Sequence, residues 1–233
     1  MRIVAVIPAR GGSKGVPRKN LRPIGSFTLL SLKVAQAKLS KCSEIYVSTE
    51  DDEIAEVAKA SGVEVILRPK ELAQDDTSTD AVLLHAINDI GLEDKDCLVL
   101  LQTTSPFLGT TKINDCIDAL LNSQGNSSAI TIRYGHPFVW KQVGIQINPS
   151  GHVRSKRPRR QELGVEGWET GGCYAILVGA LLKQGVRYPE PTLGVGVNQL
   201  EALDIDTIDD LELAQEIFGA LTLSGKLKDG TGE

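Results

Sequence analysis

From Arg2 to Tyr134, short apolar runs alternate with amphipathic stretches, and that rhythm constrains the fold more than any single motif does. The runs Arg2–Pro8, Glu44–Ser48, Val63–Leu67, Cys97–Gln102 and Ser128–Tyr134 are β-branched or apolar without strict alternation. Strands covered on both faces read this way. Between them, Leu29–Leu39 places Leu29, Leu32, Ala35 and Leu39 near one helical face, and Asp51–Ser61 opens with acids and stops at Gly62. Thr79–Ile90 carries a stripe of Leu83, Leu84, Ile87 and Ile90 before Gly91, and Lys112–Leu121 continues the series. Right-handed crossovers of such units give an α/β fold, a three-layer Rossmann-like sandwich with a mostly parallel sheet, in which ligands collect beyond the carboxyl ends of the strands. That edge would carry the loop after the first strand together with Ser48–Thr49, Arg68 and Gln102–Ser105.

The loop after the first strand lies in Ile7–Asn20, IPARGGSKGVPRKN. Arg10, Lys14, Arg18 and Lys19 put cations on a segment without an acid, in a chain of net charge −5. Gly11, Gly12 and Gly15 let backbone N–H groups approach an anion, and Pro17 stiffens the exit. Cations and bare amides together suit a polyphosphate; taken alone, the stretch also reads as a surface turn with solvated charges. It is not a Walker A loop, because Lys14 precedes Gly15 and Val16 follows, and the glycine spacing does not match a dinucleotide fingerprint.

The length of 233 residues suits one domain over 1–233. After Tyr134 the rhythm breaks. Residues 136–163 hold Pro137, Pro158, short β-like runs around Asn148–Gly151 and the basic cluster Arg154, Lys156, Arg157, Arg159, Arg160. This reads as an inserted β-arm with a hairpin turning at NPSG, whose Phe138, Val139, Trp140, Val143 and Ile145 need a second surface. A partner in a homodimer would supply it; so would the arm's own sheet. The chain then resumes with strands at Cys173–Val178 and Leu200–Asp206 and a helix from Ile208 to Phe218 capped by Thr207, and the tail SGKLKDGTGE frays.

A pI near 5.4 argues against a surface built for nucleic acid. No run approaches a signal-peptide core or the ~20 apolar residues of a membrane span, so the expectation is a cytoplasmic protein without a membrane partner. Cys42, Cys97, Cys116 and Cys173 lack the spacing of a zinc site and read as reduced, buried thiols. The acids that stand out are Asp204 and Asp206 in LDIDT, which on a strand face the same side and would repel unless a cation sits between them. Magnesium fits, since it takes few carboxylates and completes its shell with waters and substrate phosphates. The bland reading is that they join Asp209 and Asp210 in starting the last helix.

A phosphate loop plus paired aspartates in an α/β sheet suggests nucleotidyl transfer. Four ordered stretches resemble the CMP-sialic acid synthetase (acylneuraminate cytidylyltransferase) family: IPARGGSKGVPRKN, the segment Val47–Thr79, LQTTSP and LDIDTIDDLELA, together spanning Ile7 to Ala214. The resemblance implies that Arg10, Ser13, Lys19 and Asn20 hold the triphosphate of CTP and that Arg68 and Thr79 read cytosine. It implies that Gln102, Thr104 and Ser105 line the sugar side, that Arg159 or Arg160 reaches in from the arm, and that Asp204 and Asp206 hold Mg2+. Three departures stand out: Thr103 where the family usually has proline, Glu169-Thr170-Gly171-Gly172 where an Asn-Gly pair is common, and Gly25-Ser26-Phe27-Thr28 after the first loop. Thr170 would then touch a different part of the sugar.

The reaction implied joins CTP and an acidic nine-carbon 2-keto-3-deoxy sugar, giving CMP-sugar and pyrophosphate, with Arg10, Lys19 and Asp206 as its catalytic groups. No protein base is evident; His136 is the histidine of most interest, ahead of His85 and His152. Two competing readings are a nucleotidyltransferase for another sugar or sugar phosphate and a catalytically silent nucleotide-binding subunit.

Overall fold

The apolar runs pair as strands of one sheet, and the central ones, Ile3–Pro8 and Cys97–Leu101, are buried on both faces. A computed structural model describes residues 1–150, 155, 158–159, 162 and 164–227. β1 (Ile3–Pro8) leads through the basic loop to a small hairpin, β2 (Pro23–Ile24) and β3 (Phe27–Thr28), and then to α1 (Leu29–Lys38). There follow β4 (Glu44–Thr49), α2 (Asp52–Ala60), β5 (Glu64–Leu67), α3 (Thr79–Ile90), β6 (Cys97–Leu101), α4 (Thr110–Asn122) and β7 (Ser128–Gly135). The rest comprises β8 (Val139–Val143), β9 (Gln146–Ser150), β10 (Glu166–Leu177), α5 (Val178–Gln184), β11 (Thr192–Gly196) and α6 (Ile208–Leu223).

Seven strands form one sheet in the order β11-β7-β10-β6-β1-β4-β5. All neighbours run parallel except β10, which is antiparallel to β6 and β7. Alternate residues of the central strands face opposite layers. Ala5, Ile7, Val99 and Leu101 pack with Leu30 and Val34 of α1, Ile54 of α2 and Ile113 and Ile117 of α4. On the other face, Val4, Val6, Leu98 and Leu100 meet Leu83, Ala86 and Ile87 of α3 and Leu181 of α5. Each fully buried Leu or Ile here contributes roughly 1.5–3 kcal/mol of hydrophobic stabilisation. A third cluster matters for the site: Val16, Ile24, Leu29, Phe107, Ile205, Leu211 and Phe218 clamp α6 against the basic loop and the β2–β3 hairpin.

Helix starts follow the sequence closely. Asp51 accepts the Ile54 N–H at 3.0 Å, Ser78 accepts that of Ala81 at 3.1 Å, and Thr28 with Ser31 forms a capping box. Gly91 ends α3 in the left-handed conformation. Among the described residues, no helix is long and apolar enough to cross a membrane.

Five expectations need correction. Leu200–Asp206 forms no strand: it is a pair of turns followed by irregular chain, and the sheet's last strand is instead β11, which Gly194 and Gly196 had disguised. The hairpin turns between Val143 and Gln146, where Gly144 takes φ 61°, and not at NPSG, whose Asn148–Ser150 lie within β9. Pro149 is tolerated there because a two-stranded ribbon is all edge. β10 begins at Glu166, not Cys173, and α6 continues to Leu223. Leu39 is exposed because α1 ends at Lys38, and the helix is buried nearly all round through Leu30, Lys33, Val34, Gln36 and Ala37 rather than along one stripe. Of the tail, residues 228–233 lie outside the described residues.

Candidate active site

At the carboxyl ends of β1, β5 and β6 the chain leaves a cleft of about 280 Å³. Arg10, Ser13, Lys19, Asn20, Arg68, Thr79, Gln102 and Thr104 line it. All but Thr79 are residues that the sequence placed at one edge, and the parallel strands bring them together. Ser48 and Thr49, expected at the same edge, are buried beneath it.

The basic loop is built from behind. Glu50, just past β4, accepts the Gly11 N–H at 2.8 Å and pairs with Nε of Arg68 at 3.3 Å. The Gly11 amide is therefore engaged within the protein. A Cβ at Gly11 would collide with the Asp51 carboxylate, and one at Gly15 with the Asp206 carbonyl, so close backbone approach explains both glycines. Arg18 sits at φ 55° and gives its guanidinium to Asp51 and Glu53. That pairing holds the Asp51 carboxyl below its usual range and makes Arg18 part of the scaffold. Asn20 ties both walls: its Nδ2 donates to the Arg10 carbonyl at 2.9 Å, and its Oδ1 accepts from the Thr103 hydroxyl at 2.6 Å. Thr103, in place of proline, thus supplies a hydrogen bond that proline could not. Arg68 is 7% exposed, and burial lowers its pKa while Glu50 opposes the shift.

The aspartate turn is stitched to the same cleft. The Ile205 N–H donates to the Thr104 carbonyl at 2.9 Å, and Lys19 Nζ donates to the Ile205 carbonyl at 2.5 Å and lies 3.4 Å from Asp206. Asp210, not Asp204 or Asp206, starts α6: its carboxylate accepts from the backbone N–H groups of Asp206 and Thr207 and from the Thr207 hydroxyl. That leaves Asp206 with 75% of its side chain exposed beside Lys19. Asp204 is reached by solvent yet crowded by protein on its inner side; this crowding raises its carboxyl pKa, and the charge on Asp206 adds to the rise. The Thr104 hydroxyl makes no well-formed hydrogen bond but lies close enough to Asp204 to favour its ionised form. Two carboxylates that repel each other beside a basic loop have the chemistry of a magnesium site, which takes few carboxylates and fills its shell with other oxygens. Among the described residues, no cluster of three or more His, Cys, Asp or Glu side chains could hold a metal by itself.

Three expected residues do not face the cleft. Ser105 is buried, and its carbonyl accepts from the Lys33 ammonium at 2.9 Å. Thr170 lies in the bulge of β10, with its hydroxyl on the Thr131 hydroxyl at 2.8 Å, so the group expected on the sugar is turned into the sheet. Arg159 is exposed on the arm, its backbone N–H donating to Glu162, and Arg160 lies outside the described residues, as do Arg154, Lys156 and Arg157. His136 faces the Gly164 carbonyl at 3.2 Å. The residues that sequence reasoning passed over are acids and one lysine: Glu50, Asp75 and Lys33. Asp75 stands among Glu71, Asp76 and Asp80, so nothing in the sequence singles it out as the partner of the basic loop.

Residues 4–138 match the family model described as Cytidylyltransferase. The N-acylneuraminate cytidylyltransferase A of Danio rerio is 30% identical over 221 residues, covering 92% of this chain and 50% of that protein. This chain spans between 40% and 50% of the length of that protein and of its Oncorhynchus mykiss and second Danio rerio counterparts. The CMP-N,N'-diacetyllegionaminic acid synthase of Legionella pneumophila is 30% identical over 233 residues, covering 94% of this chain and 97% of that one. Among solved structures, CMP:2-keto-3-deoxy-manno-octonic acid synthetase complexed with CTP superposes with a TM-score of 0.69, covering 94% of this chain and 99% of that one, at 17% identity. At that identity the likeness speaks for the fold.

Proposed function

The chain belongs to the cytidylyltransferase family, and we propose that it joins CTP to a nine-carbon 2-keto-3-deoxy sugar acid of the sialic acid class, releasing pyrophosphate. The observation that carries this reading is the convergence of Arg10, Lys19, Arg68 and Gln102 on one cleft to which the Asp204–Asp206 turn is hydrogen-bonded.

In the reaction the anomeric hydroxyl forms a bond to the α-phosphorus, the bond to the β-phosphate oxygen breaks, and pyrophosphate leaves. Arg10 and Lys19 offset the charge that grows on pyrophosphate, and the rigid backing of Glu50, Asn20 and Thr103 keeps them in place before substrate arrives. Arg68, buried and nearly fixed, suits recognition of the base. Asp204 and Asp206 would hold Mg2+, which when bound supplies positive charge beside the α-phosphate. Among the described residues no histidine lines the cleft, and in this reading the hydroxyl proton passes to solvent or to an oxygen of the substrate.

Pyrophosphate release measured with CTP, UTP, GTP and ATP against N-acetylneuraminate, its deaminated analogue, legionaminate and pseudaminate tests the assignment. Release is expected with CTP and at least one of these acids. No release with CTP and any of these acids, or release only when a sugar 1-phosphate is supplied with another triphosphate, would overturn it.

The arm is assigned to a second copy of the chain. Val143, Ile145, Val165 and Trp168 leave apolar surface exposed on the hairpin and on the adjoining end of β10. Light scattering is expected to give twice the 25.0 kDa of one chain, falling to one chain in a Val143→Asp, Ile145→Asp variant. A monomeric wild type would refute this assignment.

A further inference from the structure

Between the base-side residues Arg68 and Thr79 runs a strap knit to itself. Lys70–Ala73 is a short 3-10 turn, Gln74 Nε2 donates to the Lys70 carbonyl at 2.8 Å, and the Thr77 hydroxyl donates to the Glu71 carbonyl at 3.1 Å. The strap presents Asp75 to the basic loop. One carboxylate oxygen lies 2.9 Å from Arg10 Nη1 and the other 2.7 Å from Lys14 Nζ, while the Gln74 carbonyl accepts from the same Arg10 nitrogen at 3.1 Å. Two oxygens of one acid thus bridge two loop cations, the arrangement that two non-bridging phosphate oxygens would adopt.

Charge explains why an acid sits there. Arg10 and Arg68 repel each other across the cleft, which an anion relieves. Lys14 and Arg10 hold the Asp75 carboxyl below its usual range, so it is ionised at neutral pH. All three side chains are also substantially exposed, at 33% for Arg10, 79% for Lys14 and 49% for Asp75. Exposed pairs of this kind are weak and exchange readily. A single carboxylate charge yields to a terminal phosphate, which carries close to two.

We propose that Asp75 is the resident counter-anion of the phosphate subsite: it holds Arg10 and Lys14 in the ligand-free protein, yields them to the terminal phosphates of the incoming triphosphate, and takes them back as pyrophosphate leaves. Asp75 is then a specificity-determining residue, because ligands that lack the outer phosphates never compete with it and ligands that carry them must displace it. The proposal rests on the reading that the triphosphate lies against Arg10.

Titration calorimetry with CTP, pyrophosphate and CMP, at low and at high salt, tests it on wild type, Asp75→Asn and Asp75→Glu. In Asp75→Asn, pyrophosphate and CTP are expected to bind roughly three- to tenfold more tightly at low salt, with the gain shrinking at high salt. CMP affinity is expected to stay unchanged, and Asp75→Glu to resemble wild type. Should the Asn variant fail to fold, Asp75→Ser carries the same expectation. Pyrophosphate binding no tighter in the neutral variants than in wild type overturns the proposal. An Arg10→Met variant separates the two levels: if it binds CTP as wild type does, the triphosphate reading itself falls. If it binds CTP more weakly while Asp75→Asn leaves pyrophosphate unchanged, only the role of Asp75 falls.

Discussion

An Asp206→Asn variant is expected to bind CTP within a few-fold of wild type and to lose roughly 10²–10³ in kcat. The expectation follows from what Asp206 does not do. The structural work at the start of α6 belongs to Asp210, which accepts from two backbone N–H groups and the Thr207 hydroxyl. The Asp206 side chain is 75% exposed, and its carboxylate lies 3.4 Å from Lys19. An isosteric amide there removes charge without removing a cap, so stability should stay within about 0.5 kcal/mol. Asp210→Asn is the matched control, with a loss of about 1 kcal/mol in stability from the weakened cap and a smaller change in turnover. Steady-state kinetics and thermal unfolding on the pair decide the matter: unchanged turnover in Asp206→Asn would remove it from the catalytic group.

How far the sequence could be read depended on where each residue's partners lie. β1 and β6 were legible because a strand buried on both faces is an uninterrupted apolar run, and β4, β5 and β7 because their β-branched and apolar residues stand between helical stretches. β11 was not, since TLGVG has only two large apolar residues and owes its place to β7. Leu203 and Ile205 mimic a strand by alternation, but their side chains pack into the cluster with Phe107 and Phe218, outside the sheet. The hairpin was located correctly and its turn misplaced, because NPSG has stronger turn chemistry than VGIQ, and Gly144 alone carried the signal. In the site, cleft residues that follow a strand directly were placed well: Arg10, Arg68, Gln102 and Thr104. Thr170 and Ser105 were not, because a β-bulge and a buried turn decide which way a side chain points, and neither is periodic. Glu50 and Asp75 were invisible because an acid that organises cations reveals itself only by distance.

The same applies to Lys33, which carries the last large expectation. It lies in the middle of α1 with no exposure, and its ammonium donates to the carbonyls of Ser105 at 2.9 Å and Leu108 at 3.1 Å, in the loop that continues from Gln102 and Thr104. Among the described residues it forms no ion pair with a carboxylate; the nearby Cys173 thiol is itself pushed well above its ordinary pKa and stays neutral. Burial therefore lowers the Lys33 pKa from 10.5 to about 7. In the unfolded chain the lysine keeps its proton to the higher value, while in the folded protein it releases it near the lower. Between the two, the unfolded state binds one more proton, so stability must rise with pH, at up to about 1.4 kcal/mol per unit. Below pH 7 both states are protonated and the contribution is flat. Wild type is thus expected to gain roughly 2–3 kcal/mol relative to Lys33→Met between pH 7 and 9, and comparison with the variant subtracts every other group that titrates in that range. Urea unfolding at several pH values reads this directly, and parallel curves for the two proteins would mean that Lys33 keeps an ordinary pKa. The two carbonyls that hold Lys33 also fix the turn behind Thr104, so neutralising the lysine changes the charge at the rear wall of the cleft while leaving both hydrogen bonds a donor.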